Sequence, residues 1–402
     1  MVADEEASSK LDLERLFNDM AKYAMNGTCG RRAFLVSLCI AFVTASSIGA
    51  SSTIAQSAAP PASKTSGYSE QARYGTQTLQ GWYVQGSGLY EKPTDWWNSA
   101  NAITVLVDYS RVTDTTQYLS AVENTFKKAN KAYGTTNFIN DSNDDEAWWA
   151  VAWIDAWDLT KKPAYLAMAQ TIFADMTTQW DTKTCGGGIW WSKDLKNSAY
   201  KNAVVNELFL ELAASLANRS ADPKQRAEYL GWAQKEWRWF NASGMINSIN
   251  LINDGLSATN PNACTSNNQT TWTYNQGVIL SGLAELYDAD HDPALLTKAQ
   301  AIAAAVMKNL VTPNGILEEP PAKGPDFPQF KGIFLRNLVR LNRVAPNPQY
   351  KTFVWSNADS ILSKDQGANH QFGAYWQGPF DSGDGTRQTA ALDALIAAME
   401  MQ

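Results

Sequence analysis

Asn143-Asp144-Asp145-Glu146-Ala147-Trp148-Trp149-Ala150-Val151-Ala152-Trp153-Ile154-Asp155-Ala156-Trp157-Asp158, followed shortly by Lys162-Pro163-Ala164-Tyr165-Leu166, holds two helix openings of different character. The first is led by acids and indoles, and acids are favoured in a first helical turn by the macrodipole. The second is plain, with a proline in the first turn, where its missing N–H costs nothing. The plain type recurs at Asp114-Thr115-Thr116-Gln117-Tyr118-Leu119, Asp222-Pro223-Lys224, Asp292-Pro293-Ala294-Leu295-Leu296 and Asn347-Pro348-Gln349-Tyr350. In three of these five an Asp or Asn precedes the proline and is placed to cap free amides. Cluster-led openings recur near Trp96, Tyr200, Trp272, Phe330 and Arg387, and one more plain helix over 69–84 makes twelve.

Apolar residues recur at helical spacing from Tyr68 onward and alternating strand patterns are scarce, so the body is expected to be all-α. Two helices per roughly 45 to 60 residues suggest hairpins that bury their faces only by stacking on neighbours. Six hairpins can close into an (α/α)6 barrel, plain helices outside and cluster-led helices inside, with the clusters converging at one mouth. An open solenoid is the alternative, but the pairs differ too much in length and loop content to favour it.

The 402 residues are 45% hydrophobic and 18% charged, enough to bury a large core and to exclude disorder. A formal charge of -7, with no basic block in the body, argues against nucleic acid as a partner. Only His291 and His370 are present, far apart, which speaks against a histidine metal site or a Ser-His-Asp triad and leaves the chemistry to carboxylates. No metal or organic cofactor is expected. The 16 Trp, with 15 Tyr and 14 Phe, exceed what such a core needs. Flat apolar faces rimmed by polar groups suit sugar rings.

Residues 1–59 read as an export signal and an Ala/Ser/Pro-rich linker, with the catalytic domain over 60–402. Arg31 and Arg32 precede an apolar run from Ala33 to Val43, a pattern that resembles a twin-arginine signal; an ordinary secretory signal starting at Met25 is the alternative. The body is expected outside the cytoplasm (secreted, periplasmic or at the cell surface), meeting a membrane only if the signal stays uncleaved. Cys29 and Cys39 fall in the signal, which leaves Cys185 and Cys264 to pair in an oxidising compartment. Closing that loop stabilises a fold by about 4 kcal/mol; two free buried thiols are the alternative.

Adjacent acids at the start of an inner helix would stand at the barrel mouth. Neighbouring Cα atoms about 3.8 Å apart allow two carboxyls to approach to about 5–5.5 Å, the spacing of retaining glycosidases, whereas inversion needs a wider gap for water. Crowding splits their proton affinities, leaving one ionised as nucleophile and one protonated as acid. Helix stabilisation is the competing explanation for each acid taken singly, and Asp155 and Asp158 read as helix-face or outer-end residues.

Six blocks in order carry a resemblance: Asp144-Asp145-Glu146-Ala147-Trp148-Trp149, Thr184-Cys185-Gly186-Gly187-Gly188-Ile189-Trp190-Trp191, Tyr200-Lys201-Asn202-Ala203, Leu251-Ile252-Asn253-Asp254-Gly255, Thr271-Trp272-Thr273-Tyr274-Asn275-Gln276-Gly277 and Phe330-Lys331-Gly332-Ile333-Phe334. Together they resemble glycoside hydrolase family 76, endo-acting α-1,6-mannanases. That resemblance implies an (α/α)6 barrel and a retaining double displacement, with Asp144 as nucleophile and Asp145 as acid/base. Relatives resembling transglycosylases of glycolipid-anchor cores carry a carboxy-terminal anchor tail, which does not follow the last helix here. A secreted, monomeric depolymerase is therefore expected; transfer to glycolipid cores and a silent mannan-binding protein are the alternatives.

Further candidates for substrate contact are Trp148, Trp190 and Trp191, the last two fixed by Gly186-Gly187-Gly188, then Asn202, Trp272, Tyr274 and Asn275; a plain loop turn with core tryptophans is the alternative for Trp190 and Trp191, and packing for Trp272 and Tyr274. Asp254, Lys331, Arg336, Asn98 and Trp376 complete the set; a turn competes for Asp254 and a solvated helix start for Lys331 and Arg336, and Asn98 and Trp376 carry the weakest signal. Asp381 and Asp384 faintly suggest a calcium loop, but a turn accounts for them better. Asn140, Asn218, Asn241 and Asn268 are glycosylation sequons that matter only in a glycosylating host.

Overall fold

The proline-led openings become helices, and three carry the expected caps: Asp222, Asp292 and Asn347 accept a hydrogen bond from the amides of Lys224, Ala294 and Gln349. The computed structural model describes residues 64–402 apart from 259, 261, 263 and 322, with side chains from Gly67 on. The segment read as an export signal, with Cys29 and Cys39, lies outside the described residues. The described residues fall within one compact unit.

Among the described residues, twelve helices of ten or more residues follow one another. They are α1 Lys64–Gln80, α2 Trp96–Thr113, α3 Leu119–Lys128, α4 Asn143–Thr160, α5 Pro163–Thr177 and α6 Ala203–Arg219. Then come α7 Pro223–Ala242, α8 Thr273–Asp290, α9 Pro293–Asn309, α10 Phe330–Val344, α11 Pro348–Lys364 and α12 Gly385–Glu400. The even-numbered helices α2, α4, α6, α8, α10 and α12 each pack on the next, and α12 returns to α2. That closed ring of six is the inner wall of an (α/α)6 barrel.

Inner helices are buried almost all round; every residue of α6 from Ala203 to Ala217 is buried. Outer helices bury one stripe only, as α7 does with Ala233, Glu236 and Phe240. Inner neighbours approach closely: a Cβ on Gly277 of α8 would lie 2.6 Å from the Cα of Phe334 on α10, so only glycine fits there. Asp114, Lys161 and His291 end α2, α4 and α8 in the left-handed conformation, turning the chain toward the following outer helix.

Five of the six pairs are hairpins. The sixth is not: α1 packs on α12, so the two ends of the described chain make it, tied by the Gln388 amide donating to the Gly75 carbonyl over 3.0 Å. The ring thus closes through its ends, whereas the sequence alone suggested six contiguous hairpins. Local boundaries also shift. The first helix covers 64–80, and Tyr83–Val84 (β1) instead pairs with Leu89–Tyr90 (β2). Asp114 caps the end of α2, not the start of α3, which begins at Leu119. Tyr200 lies three residues before α6 because residue 202 pairs with Gly255 as an extended bridge. A second short ribbon joins Leu256–Ser257 (β3) to Thr265–Ser266 (β4).

Every inner helix begins at the same end, so the loops before them form the mouth. The far end is closed by ion pairs: Arg340 to Asp155 (2.6 Å) and Glu211 (2.7 Å), Arg336 to Asp393 (3.0 Å), and Arg219 to Asp158 (2.6 Å). Asp155 and Asp158 therefore serve the barrel's closed end, as expected of helix-face acids.

Candidate active site

Helix α4 starts at the mouth, and a strand-like contact fixes what faces its first turn. The amide of Asn143 donates to the Trp191 carbonyl over 2.9 Å, and that of Lys193 to the Asp141 carbonyl over 2.9 Å. This seats the Trp191 indole so that its Nε1–H donates to Asp144 Oδ2 at 3.1 Å. On the other side Asn140 Nδ2 donates to Asp145 Oδ2, also at 3.1 Å. The third acid, Glu146, is fully buried in the wall and paired with Lys193 at 2.8 Å. Three consecutive acids thus divide two to one, with Asp144 and Asp145 lining a cavity of about 780 Å³.

Burial raises both carboxyls. Asp144 is pushed up to about 6, held from going further by the Trp191 donor and the amides of the first turn, and raised a little by Asp326. Asp145 is raised well above the usual carboxylate range, by burial first and then by the charge of Asp144, with Asn140 opposing. The order follows from the donors: Asp144 ionises first, and its charge keeps the proton on Asp145. A carboxyl that ionises first beside one that holds its proton to higher pH is what general acid catalysis beside a nucleophile requires.

Aromatic rings build much of the remaining wall. Tyr274 stacks on Phe330 with centroids 4.1 Å apart, Trp97 leans on Trp148 at 5.8 Å, and Trp97 Nε1–H donates to Asp326 at 3.0 Å. Across from the acids, the Tyr200 hydroxyl donates to Asp254 Oδ2 at 2.6 Å and accepts from Asn267 Nδ2 at 2.6 Å. Burial raises Asp254, opposed by Tyr200, Trp272 and Asn275 beside it. Tyr133, 66% exposed, stands at the rim.

Behind Trp191 the glycine loop is held from inside. The buried Lys201 ammonium donates to the carbonyls of Asp181 (2.8 Å), Thr184 (2.6 Å) and Gly187 (2.5 Å). Gly188, at φ 90°, lies flat on Trp239, where a Cβ would meet the ring at 2.3 Å. Cys185 and Cys264 form a disulfide that ties this loop to the 256–266 ribbon.

Of the residues singled out from sequence, Asp144, Asp145, Trp148, Trp191, Asn202, Asp254 and Tyr274 come together around the cavity. The others do not line it. Trp190 packs under the Lys201 ammonium at 4.7 Å, and Trp272 and Asn275 stand behind Asp254. Asn98 is wholly buried and accepts from the Asp95 amide in the capping box of α2. Arg336 is neither a substrate contact nor a solvated helix start, because Asp393 and Asn101 hold it inside the barrel. Trp376 is fully buried under Lys331, whose ammonium lies 4.4 Å above its ring, donates to the Ala374 carbonyl at 2.7 Å and is lowered to about 8 by burial.

Asp384 caps α12 and Asp381 accepts from the Ala374 amide, so both serve a turn. Among the described residues no group of three or more His, Cys, Asp or Glu side chains is arranged to hold a metal ion. Sequence reasoning missed Asn140, Trp97, Tyr133, Tyr200 and Asp326 as site residues. Asn140 showed only as a sequon, although an amide four residues before the acid pair, just outside the helix start, is a position from which it can reach Asp145.

The sequence profile of glycosyl hydrolase family 76 matches residues 54–402. Mannan endo-1,6-α-mannosidase DCW1 of Saccharomyces cerevisiae is 26% identical over 342 residues, covering 78% of this chain and 74% of that protein. The DFG5 enzyme of the same name from Candida albicans is 26% identical, with 77% and 73% covered. Among solved structures, the α-1,6-mannanase of Salegentibacter sp. HEL1_6, an inactive variant in complex with α-1,6-mannotetrose, superposes with a TM-score of 0.76 at 22% identity, covering 83% of this chain and 99% of that one. A Listeria innocua protein reaches 0.72 at 26% identity, covering 82% and 96%.

Proposed function

The chain belongs to glycosyl hydrolase family 76, and we propose that it is an exported, monomeric, retaining endo-α-1,6-mannanase. The observation that carries this reading is the pair Asp144 and Asp145, adjacent on one helical turn in an open cavity, with neighbours that keep one ionised and the other protonated. The named activity of the curated relatives supplies the linkage.

Asp144 Oδ attacks the anomeric carbon as the bond from that carbon to the departing oxygen breaks, and Asp145 gives that oxygen its proton. A glycosyl ester on Asp144 results. Asp145, now a carboxylate, takes a proton from water as the water oxygen attacks the same carbon, which releases the sugar with its original configuration and restores both acids. Trp191, Tyr274 and Trp148 offer faces to sugar rings, while Asp254 and Asn202 accept or donate at hydroxyls. A cavity open along the mouth suits attack inside a chain. Export is proposed from Arg31-Arg32 and the apolar run after them, and the disulfide suits an oxidising compartment. Among the described residues no helix is long and apolar enough to cross a membrane.

Proton NMR of linear α-1,6-mannohexaose during turnover tests the reading. Early α-anomers of intermediate length are expected, and Asp144→Asn and Asp145→Asn should each remove nearly all turnover. An unchanged spectrum with folded protein would move the substrate to a glycolipid core or leave only binding.

A further inference from the structure

A second cavity opens at the same end of the barrel, on the other side of the segment 326–331. Asp326 and Phe330 line the catalytic cavity, whereas Phe327 and Lys331 line the second, so one stretch of chain is the partition. Tyr274 and Thr273 repeat the arrangement: Tyr274 faces the catalytic cavity, while the Thr273 amide donates to Glu319 at 2.9 Å in the wall of the second.

The second cavity measures about 250 Å³ against about 780 Å³, room for a single ring instead of a chain. One side is apolar. Tyr375, 45% exposed, lies 6.5 Å from Phe327, and Pro320 and Pro321 continue that surface. The other side is polar. Among the described residues the Lys331 ammonium makes one hydrogen bond, to Ala374, and lies over the Trp376 ring, which leaves one donor, and Gln377 Oε1 is buried with no partner. Buried donors and acceptors left unpaired are costly, so the site favours a ligand that supplies both at close spacing. Glu318, Glu319, Asp365 and Asp381 surround the one ammonium, Lys331, with burial pushing Glu319 up to about 8 and Asp365 to about 7, so the cavity holds no surplus of positive charge to attract an anion. A neutral ring with one C–H face and a rim of hydroxyls meets every condition.

We propose that this cavity binds one mannosyl unit outside the catalytic cavity, with Tyr375 against the ring face and Lys331 and Gln377 on its hydroxyls. The inference rests on the mannanase reading. The same ring has two sources, a side branch of mannan or a distal unit of the backbone, and chain length separates them.

The experiment compares wild type with Tyr375→Ala and Gln377→Ala on three substrates: linear α-1,6-mannotetraose, long linear α-1,6-mannan, and the same backbone bearing single-mannose α-1,2 branches. The readout is kcat/KM on each polymer divided by that on the tetraose, with circular dichroism as a check on folding. About a tenfold fall in the ratio is expected. A fall for the branched polymer alone assigns a branch, and a fall for both polymers assigns a backbone unit. Ratios equal to wild type on both polymers would overturn the inference and leave the mannanase reading intact. A wild type inactive on all three substrates would overturn that reading, and the inference with it.

Discussion

Asp144 and Asp145 differ less in chemistry than in who touches them. Both are raised by burial, so each is more stable in the fold as the neutral acid. Their contribution to stability is therefore present at acid pH and lost as the pH rises through their folded values. Asp145→Asn, which mimics the neutral form, is expected to raise the melting temperature at pH 7 by a few degrees while removing turnover. Activity needs the opposite state of Asp144, so the acid limb of kcat/KM should fall near pH 6, where that carboxyl takes a proton. Trp191→Phe deletes the donor that holds Asp144 down and should move this limb to higher pH. Asn140→Ala should move the alkaline limb up in the same way through Asp145. Limbs that stay in place in a pH profile would break the assignment of donors to acids.

At the scale of elements, the segment 181–193 decides the site. It carries no regular structure of its own and owes its shape to remote anchors: Lys201 inside it, the disulfide to Cys264, and the pairing of 191 and 193 with 141 and 143. Lys201→Met removes the ammonium that three carbonyls converge on and strands them in a buried place. We expect kcat to fall about 10- to 100-fold, with the acid limb shifted in the same direction as in Trp191→Phe. A variant that loses stability but keeps the wild-type pH profile would show Lys201 to be a brace without influence on Asp144. Between helices Gly277 is a tight constraint, as is Gly332 of α10 against Ala390 of α12. Gly277→Ala forces α8 from α10 and is expected to cost about 1–3 kcal/mol in urea denaturation.

The barrel as a whole is a ring closed by α12 on α2, with its chemistry at one end and its charge network at the other. Arg340 is the centre of that network, and Arg340→Met leaves Asp155 and Glu211 without their cation. Such a loss costs about 3–5 kcal/mol. The distance from the mouth predicts that kcat at low temperature stays near wild type while the denaturation midpoint falls. Removing the disulfide by Cys185→Ser with Cys264→Ser should cost up to about 4 kcal/mol, since 79 residues separate the two cysteines. Part of that loss should show in kcat, because the bond anchors the loop bearing Trp191.

Periodicity and proline-led starts determined the helices, their order and their alternation, because a helix start is a local event written in four or five neighbouring residues. The acid pair was legible for the same reason, since its place in the first turn of an inner helix puts it at the mouth. What tertiary structure alone decided is which neighbours reach the cavity. Trp190 and Trp191 are adjacent in sequence, yet one packs on Lys201 and the other on Asp144. Asn98, Arg336 and Trp376 sit in promising motifs but turn into caps, ion pairs and core, while Asn140, Tyr200 and Asp326 enter the site with little local signal. The direction a side chain takes at the mouth is set by bridges such as Ser142 with Ser192 and Asn202 with Gly255, whose partners lie about fifty residues away. The pairing of α1 with α12 follows the same rule, because the first and last helices meet only once the ring between them has closed.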